Sequence, residues 1–196
     1  MSLMDEYIDA VNRGDTDAIT RTGKQLDQLD TIDRRRLTNP TVTLNAALWY
    51  AGLGWPVFPL QTQGKTPATR NGFKDATIDI DQIKTWWTDN PTHNIGLPTG
   101  LNFDVIDIDG PEGIRAMYWG DHAPHDTLTV IGKVSTSRDG GQHIYVPPTG
   151  RGNAASILPS IDYRGKGGYV VAPPSTGANG RRYTWLQPPL TFDGAA

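Results

Sequence analysis

Cysteine is absent from this chain of 196 residues. Its absence excludes disulfide bonds, thiolate zinc sites and cysteine nucleophiles, and it fits a cytoplasmic protein better than a small secreted one. Any metal must then be held by oxygen or imidazole ligands. The sequence also lacks an apolar run long enough to cross a bilayer, and its N-terminus lacks the basic and apolar regions of a signal peptide. We therefore expect a soluble protein with no membrane partner.

A large net charge is lacking as well. The formal charge of -3 argues against a protein that coats nucleic acid over its whole surface. The distribution is uneven, however, because the segment from residue 133 to residue 182 is locally basic. Its cationic residues are Lys133, Arg138, Arg151, Arg164, Lys166, Arg181 and Arg182, and they are opposed only by Asp139 and Asp162.

The first 40 residues are predicted to form a helical appendage. Apolar residues recur there at helical spacing, and Gly14-Asp15-Thr16 divides the pattern into two helices. Pro40 marks the boundary to a compact domain over residues 41–196. The chain is long enough to bury one substantial core.

The compact domain is predicted to be α+β, with mixed or antiparallel sheets covered by helices. Helices and strands alternate up to Trp119, and after Thr127 short strands separated by glycine- and proline-rich turns indicate an antiparallel sheet. The predicted helices are Thr43–Ala51, one capped by Asp79 or Asp81 that continues through Trp87, and Glu112–Trp119. The predicted strands are Pro56–Leu60, Phe103–Asp109, Thr127–Ile131, Gln142–Val146, Ser160–Tyr163, Tyr169–Ala172 and Tyr183–Leu186. Asn94 to Gly100 is predicted to be a tight segment that leads into the second of these strands.

Two carboxylates follow each other at the end of a predicted buried strand, in Val105-Ile106-Asp107-Ile108-Asp109-Gly110. In an extended strand Asp107 and Asp109 point to the same face, where they repel each other unless a cation compensates them. A divalent metal is the usual compensation. The other interpretation is a strand that ends in a solvated acidic turn, and the pair alone supports both interpretations about equally.

A polar turn with two adjacent glycines enters a strand within residues 135–146. Gly140 and Gly141 let backbone N–H groups approach an anion, Ser137 adds a hydroxyl donor, Arg138 a guanidinium and His143 an imidazole N–H. These groups suit a phosphate. The alternatives are an ordinary hairpin turn and a histidine with a structural role.

A third acid, Asp162, lies two residues before Arg164, so both share one face of a predicted strand. The plain alternative is an ion pair within the strand, which contributes little when exposed. Together, however, the three segments favour nucleotidyl transfer, because that chemistry combines carboxylates around two metal ions with cationic and backbone donors on a triphosphate. Hard oxygen ligands predict Mg²⁺ or Mn²⁺.

At these residues the chain resembles the prim-pol type of bifunctional DNA primase-polymerases, in the archaeo-eukaryotic primase superfamily, a group common in plasmids and phages. The resemblance rests on Asp107 and Asp109, on Ser137 with the Gly-Gly-x-His sequence that ends at His143, and on the stretch from Asp162 to Ser175. It extends to Trp55–Leu60, Gly64-Lys65, Trp86-Trp87 and Asn94-Ile95-Gly96, and it spans roughly Leu44 to Trp185.

The resemblance implies a primase-like catalytic domain that acts as a DNA primase, a DNA polymerase or both in replication initiation. It implies that Asp107, Asp109 and Asp162 are the catalytic residues and hold two Mg²⁺ or Mn²⁺ ions, and that Ser137 and His143 contact the triphosphate. Arg138, Arg164 and Lys65 become further nucleotide contacts. The implied partners are ribo- or deoxyribonucleoside triphosphates and a single-stranded DNA template with its primer, in the cytoplasm of a bacterial or archaeal host.

The chain departs from the family pattern at both ends. Residues before Pro40 have no counterpart in it, and the zinc-binding stem found in many members is not expected, because the chain has no cysteine. We expect an excised catalytic domain, with a helicase or a helical priming region elsewhere in the full-length protein. Two other functions stay open: a metal-dependent phosphoesterase or nuclease, and a non-catalytic module that binds nucleotides or DNA during replication.

Overall fold

The computed structural model describes residues 40–119 and 128–189, together with the helical positions Glu6, Asp17, Ala18 and Arg21. The chain divides into two compact units, Met1–Asn39 and Pro40–Ala196. Most of the predicted appendage over residues 1–40 lies outside the described residues, so the appendage stays a prediction. The second unit carries all of the predicted site residues.

Three α-helices lie within residues 40–119 and 128–189. They are α1 (Pro40–Gly52), α2 (Ile80–Asp89) and α3 (Gly110–Trp119), and a short 3-10 turn covers Gly72–Asp75. The strands are β1 (Phe58–Leu60), β2 (Asn94–Pro98), β3 (Asp104–Ile108), β4 (Gly132–Ser135), β5 (Gln142–Val146), β6 (Ala154–Leu158), β7 (Ile161–Arg164), β8 (Tyr169–Ala172) and β9 (Thr184–Gln187). Of the two candidate caps for α2, Asp79 is the one used, because its carboxylate accepts the Gln82 N–H at 2.9 Å.

The strands form two antiparallel sheets. One has three strands in the order β1-β2-β8, and the other has six in the order β6-β7-β3-β5-β4-β9. The pairs β3 with β5 and β3 with β7 place β3 between two strands that follow it in the sequence. The predicted α+β class is therefore confirmed.

The two faces of the six-stranded sheet pack against different elements. On one face Ile106 and Ile108 of β3 form a buried apolar cluster with Met117 of α3. On the other face Val105 belongs to a larger cluster that includes Tyr145 of β5 and residues of the three-stranded sheet. Asp107 shares the face of Val105, because side chains alternate along a strand. The large core therefore ends next to Asp107.

The predicted strand Thr127–Ile131 is wrong. Thr127 lies outside the described residues, residues 128–131 are not extended into a strand, and β4 begins at Gly132. At Gly132 the chain pairs with Tyr145 of β5 and passes close to β9, since a Cβ at position 132 would lie 3.0 Å from the Gln187 carbonyl oxygen. Glycine lets the two backbones approach. The apolar residues before Gly132 led to a predicted strand that ends where β4 begins.

Besides β4, which the predicted strand at 127–131 does not overlap, two further strands were not predicted. β2 lies between β1 and β8 and is buried along its whole length, so its sequence lacks the alternation that reveals a strand with one exposed face. Gly96 in β2 packs against the ring of Phe58, where a Cβ would lie 2.4 Å from a ring carbon. β6 is an exposed edge strand of mostly small residues, Ala154–Leu158, and such a stretch carries little apolar pattern.

None of the helices in the described part of the chain combines the length and the apolar character needed to span a membrane.

Candidate active site

Three predicted site residues lie in one row across three neighbouring strands. Asp107 of β3 is paired with Asp162 of β7 on one side and with His143 of β5 on the other. Residues directly opposite each other in an antiparallel pair have Cβ atoms about 4.5–5.5 Å apart and project from the same face. The register of the sheet therefore brings together residues that are 55 positions apart in the sequence, from Asp107 to Asp162.

Arg164 connects the two carboxylates of this row. It lies two residues beyond Asp162 on β7, and its Nη2 is 2.9 Å from Asp162 Oδ2 and 3.1 Å from Asp107 Oδ2. Its Nε also donates to Asp107 Oδ2, at 3.2 Å. The ion pair within β7 that the sequence left open is thus present, and it extends to the neighbouring strand. We call Asp107, Asp162, His143 and Arg164 the acidic row.

The environment keeps Asp107 ionised. Burial would raise the pKa of this carboxyl, but a hydrogen bond and positive charge from His143, followed by those from Arg164, lower the pKa to about 2. The His143 Nε2 lies 3.4 Å from Asp107 Oδ1. The side chains of His143 and Asp107 are only 6% and 15% exposed, so their interaction is weakly screened by solvent.

The remaining carboxylate oxygen of the row, Asp162 Oδ1, accepts a hydrogen bond from the backbone. The Ser156 N–H, in the edge strand β6, donates to Asp162 Oδ1 at 2.8 Å. Ser156 has a positive φ of 52°, which is uncommon for a residue with a side chain. The irregular edge strand therefore helps to orient Asp162, leaving its Oδ2 directed at Arg164.

Asp109 lies outside the row. It lies between the end of β3 at Ile108 and the start of α3 at Gly110, and its N–H still donates to the Ser160 carbonyl at 2.8 Å, one residue beyond the last registered pair of β3 with β7. The Asp109 carboxylate instead lies 3.0 Å from the Arg138 guanidinium, and both side chains are largely exposed. This contact joins the end of β3 to the predicted phosphate-binding turn.

The predicted phosphate-binding turn connects β4 and β5 over residues 136–141. The Thr136 N–H donates to the Gly141 carbonyl and the Gly141 N–H to the Arg138 carbonyl, each at 3.0 Å. Gly140 has a φ of 64°, which favours glycine. The hairpin alternative for this segment is therefore present in the structure, and it leaves Arg138 exposed beside Asp109.

A second loop supports this turn. The Asn179 side-chain amide donates to the Ser137 carbonyl at 2.6 Å, and the Arg181 guanidinium bonds the Asp139 carboxylate. Gly177 faces the Ser137 hydroxyl so closely that a Cβ would lie 2.4 Å from Oγ. No sequence motif indicates a role for this loop. The basic composition of the segment is the only sequence signal that pointed to it.

Lys65 is exposed on the loop after β1. Its backbone carbonyl accepts a hydrogen bond from the Tyr169 hydroxyl at 3.1 Å. The neighbouring Gly64 carbonyl accepts the Asn94 amide at 3.0 Å, and Asn94 also bonds both backbone groups of Thr176. Asn94 therefore ties two loops to β2. The resemblance includes Asn94-Ile95-Gly96 but does not imply this role.

The donors of the acidic row fit a hard divalent cation. Its carboxylate oxygens are the ligands that Mg²⁺ and Mn²⁺ prefer, and a nitrogen of Arg164 already bridges two of them. Among residues 40–119 and 128–189, however, no three acidic or histidine side chains lie close enough together to hold one ion as they stand. The chemistry of the carboxylate ligands therefore fits such an ion, and Mg²⁺ is commonly held by one or two carboxylates together with substrate phosphates and water.

The fold and the site together define an α+β domain in which a row of acids on antiparallel strands lies next to a glycine-containing, basic turn. The family model described as "Bifunctional DNA primase/polymerase, N-terminal" (Prim-Pol) matches residues 47–195. The chain therefore belongs to the Prim-Pol family, and the resemblance noted from the motifs is confirmed. A comparison with curated proteins gives no match. The membership supports a function of the DNA primase or polymerase type.

Proposed function

We propose that this domain is a template-directed nucleotidyltransferase, which starts or extends a DNA or RNA strand from nucleoside triphosphates in replication initiation. The observation that supports this most is the acidic row, in which Asp107 and Asp162 of neighbouring strands face a common cation. The proposed substrates are ribo- or deoxyribonucleoside triphosphates and a single-stranded DNA template with its primer.

Asp107, Asp162 and Asp109 are the proposed holders of Mg²⁺ or Mn²⁺. When bound, the metal would supply positive charge for an attacking 3′-hydroxyl and for the leaving pyrophosphate. Asp107 suits this role because its low pKa of about 2, which results from His143 and Arg164 outweighing the effect of burial, keeps it a carboxylate at neutral pH. Asp109 would join the site from the start of α3, beside Arg138.

We assign the phosphate groups of the nucleotide to residues of the β4–β5 turn and to His143. Arg138 projects from the exposed turn with its guanidinium beside Asp109, and Ser137 lies next to it on the same turn. His143 follows in β5 with its Nε2 directed at Asp107, and its buried Nδ1 has no hydrogen-bond partner among the described residues. Such charge-assisted donors bind phosphate oxygens strongly.

The central test replaces Asp107 and Asp109 together by alanine. We expect the loss of detectable nucleotide incorporation on a primed single-stranded template, because the metal-binding oxygens of β3 are removed. The matched control is Asp81→Ala with Asp89→Ala, which removes two exposed acids from α2 and should retain wild-type incorporation. Normal incorporation by the first variant would show that these acids are not the catalytic residues.

The same gel separates the proposed function from its alternatives. A labelled primer that lengthens with nucleoside triphosphates and Mg²⁺ or Mn²⁺ supports nucleotidyl transfer, and a primer or template that shortens indicates a phosphoesterase. Nucleotide binding that is indifferent to either metal, without any change in primer length, indicates a non-catalytic module. Reactions without primer measure whether the domain also starts strands.

A further inference from the structure

Arg164 holds the position between two carboxylates where positive charge is most strongly favoured. A single atom of its side chain, Nη2, lies 2.9 Å from Asp162 Oδ2 and 3.1 Å from Asp107 Oδ2. The other oxygens of these carboxylates face His143 and the Ser156 N–H. One nitrogen atom thus bridges the two oxygens that face each other across the β3–β7 pair.

A divalent cation cannot bridge these two oxygens while the guanidinium stays in place. Bound to carboxylates, Mg²⁺ and Mn²⁺ need oxygen ligands at close to 2 Å, and a nitrogen with its hydrogens about 3 Å from both oxygens fills that space. A second positive charge at this distance also repels the first. Metal and Arg164 are therefore alternative partners of the same two oxygens.

The structure allows the Arg164 side chain to move without the backbone. The side chain is 34% exposed, whereas the carboxylate side chains of Asp107 and Asp162 are 15% and 25% exposed. The backbone of Arg164 is fixed by its pairing with Val105, and the following Gly165 is packed so closely that a Cβ would lie 2.2 Å from the Arg151 carbonyl. Rotation about the side-chain bonds is thus the available motion.

We propose that Arg164 is an exchangeable internal cation, which neutralises Asp107 and Asp162 in the metal-free protein and is displaced when a divalent metal binds. The inference rests on the proposed function, because it assigns the metal to the acidic row. Arg164 acts here as a positioning residue: it keeps two repelling acids together before the metal arrives. Once displaced, its guanidinium is free to bind a phosphate of the incoming nucleotide.

The test measures Mn²⁺ binding without nucleotide or DNA, by electron paramagnetic resonance of the free ion. In Arg164→Gln the competing charge is gone, so we expect Mn²⁺ to bind about tenfold more tightly than to the wild type, the scale of one hydrogen-bonded charge contact. Arg70→Gln is the matched control, since it removes an exposed arginine of another loop and should bind like the wild type.

The outcomes separate this inference from the proposed function. If the wild type binds Mn²⁺ and Arg164→Gln binds it equally or less tightly, the exchange is overturned and the metal site stands. The exchange is also overturned if Arg70→Gln gains as much affinity, because net charge then explains the effect. If neither the wild type nor Arg164→Gln binds Mn²⁺, the metal site of the proposed function falls together with the exchange.

A second measurement uses the wild-type protein, since removing Arg164 leaves two acids unneutralised and the variant can fail to fold. In ¹H–¹⁵N spectra of arginine side chains, the Arg164 Nε–H reports its bond to Asp107. We expect this resonance to shift as Mg²⁺ saturates the protein, while that of Arg70 stays in place. An unchanged Arg164 resonance in protein with bound Mg²⁺ overturns the proposal.

Discussion

Two carboxylates on the same strand have opposite kinds of partner. Asp104, at the start of β3, is fully buried, and its Oδ2 accepts hydrogen bonds from the Thr149 N–H, the Thr149 hydroxyl and the Tyr163 hydroxyl. Asp107, three residues later on the other face, is paired with the cationic Arg164 and with His143. The first carboxylate is held through Oδ2 by neutral donors of the fold, while its buried Oδ1 has no hydrogen-bond partner among the described residues. The second is held by the guanidinium of Arg164 together with the imidazole of His143.

This difference separates a structural acid from the proposed metal-binding one. Neutral donors that belong to a loop and a neighbouring strand cannot be exchanged without disturbing the fold, so Asp104 is fixed in place. Cationic side chains can be replaced by another cation of similar charge, so Asp107 can change partners. Burial alone would have ranked Asp104 as the more unusual acid, because its side chain is the less exposed of the two.

Replacing Asp104 by alanine should produce the largest loss of stability. The change removes the acceptor that the Tyr163 hydroxyl and both Thr149 donors share, while the two hydroxyls keep their bond to each other at 2.7 Å, and we expect the free energy of unfolding to fall by about 2 kcal/mol. Urea denaturation followed by tryptophan fluorescence measures this. Nucleotide incorporation per folded molecule should remain within about twofold of the wild type at a temperature where the variant is folded. Wild-type stability, or a complete loss of incorporation by folded protein, would remove the distinction between the two acids.

Replacing Tyr163 by phenylalanine should have a smaller effect in the same direction. It removes one of the donors to Asp104 and keeps the ring, and burial together with its bond to Asp104 raises the pKa of the Tyr163 hydroxyl, so this group is a neutral donor at neutral pH. We expect a loss of about 1 kcal/mol in the free energy of unfolding. In the double variant with Asp104→Ala the additional loss should be close to zero. Full additivity of the two losses would show that the Tyr163 hydroxyl does not act through Asp104.

The sequence was sufficient to nominate the residues of the candidate site but not to predict their partners. The strands β5 and β8 were predicted with their observed bounds, because they carry strong apolar runs beside clear turn signals. The row formed by Asp107, His143 and Asp162 depends on the register of β3 with two strands that follow it. Register between strands distant in sequence is set by packing of the whole sheet, which no local pattern encodes.

Arg164 and Asp109 show how far the alternation of side chains along a strand predicts their partners. Arg164 was predicted to share a face with Asp162, and the i, i+2 rule was sufficient for that, but its contact with Asp107 requires β3 as a neighbour. Asp109 was expected beside Asp107 by the same rule. β3 ends at Ile108 and Gly110, with a φ of 77°, turns the chain into α3, so the carboxylate of Asp109 lies at this turn, where it contacts Arg138.

Asp109 differs from both Asp104 and Asp107, because its cationic partner, Arg138, is at the surface. With side chains 63% and 44% exposed, the pair is strongly screened, so Arg138→Gln should change the free energy of unfolding by less than about 0.5 kcal/mol. The same change should raise the KM for nucleoside triphosphates several-fold with little change in kcat, because a phosphate donor is lost while the acids are retained. Steady-state incorporation kinetics measure this, with Arg70→Gln as the charge-matched control. A large loss of stability would place Arg138 with the donors of Asp104, as part of the fold, and an unchanged KM would remove it from the nucleotide site.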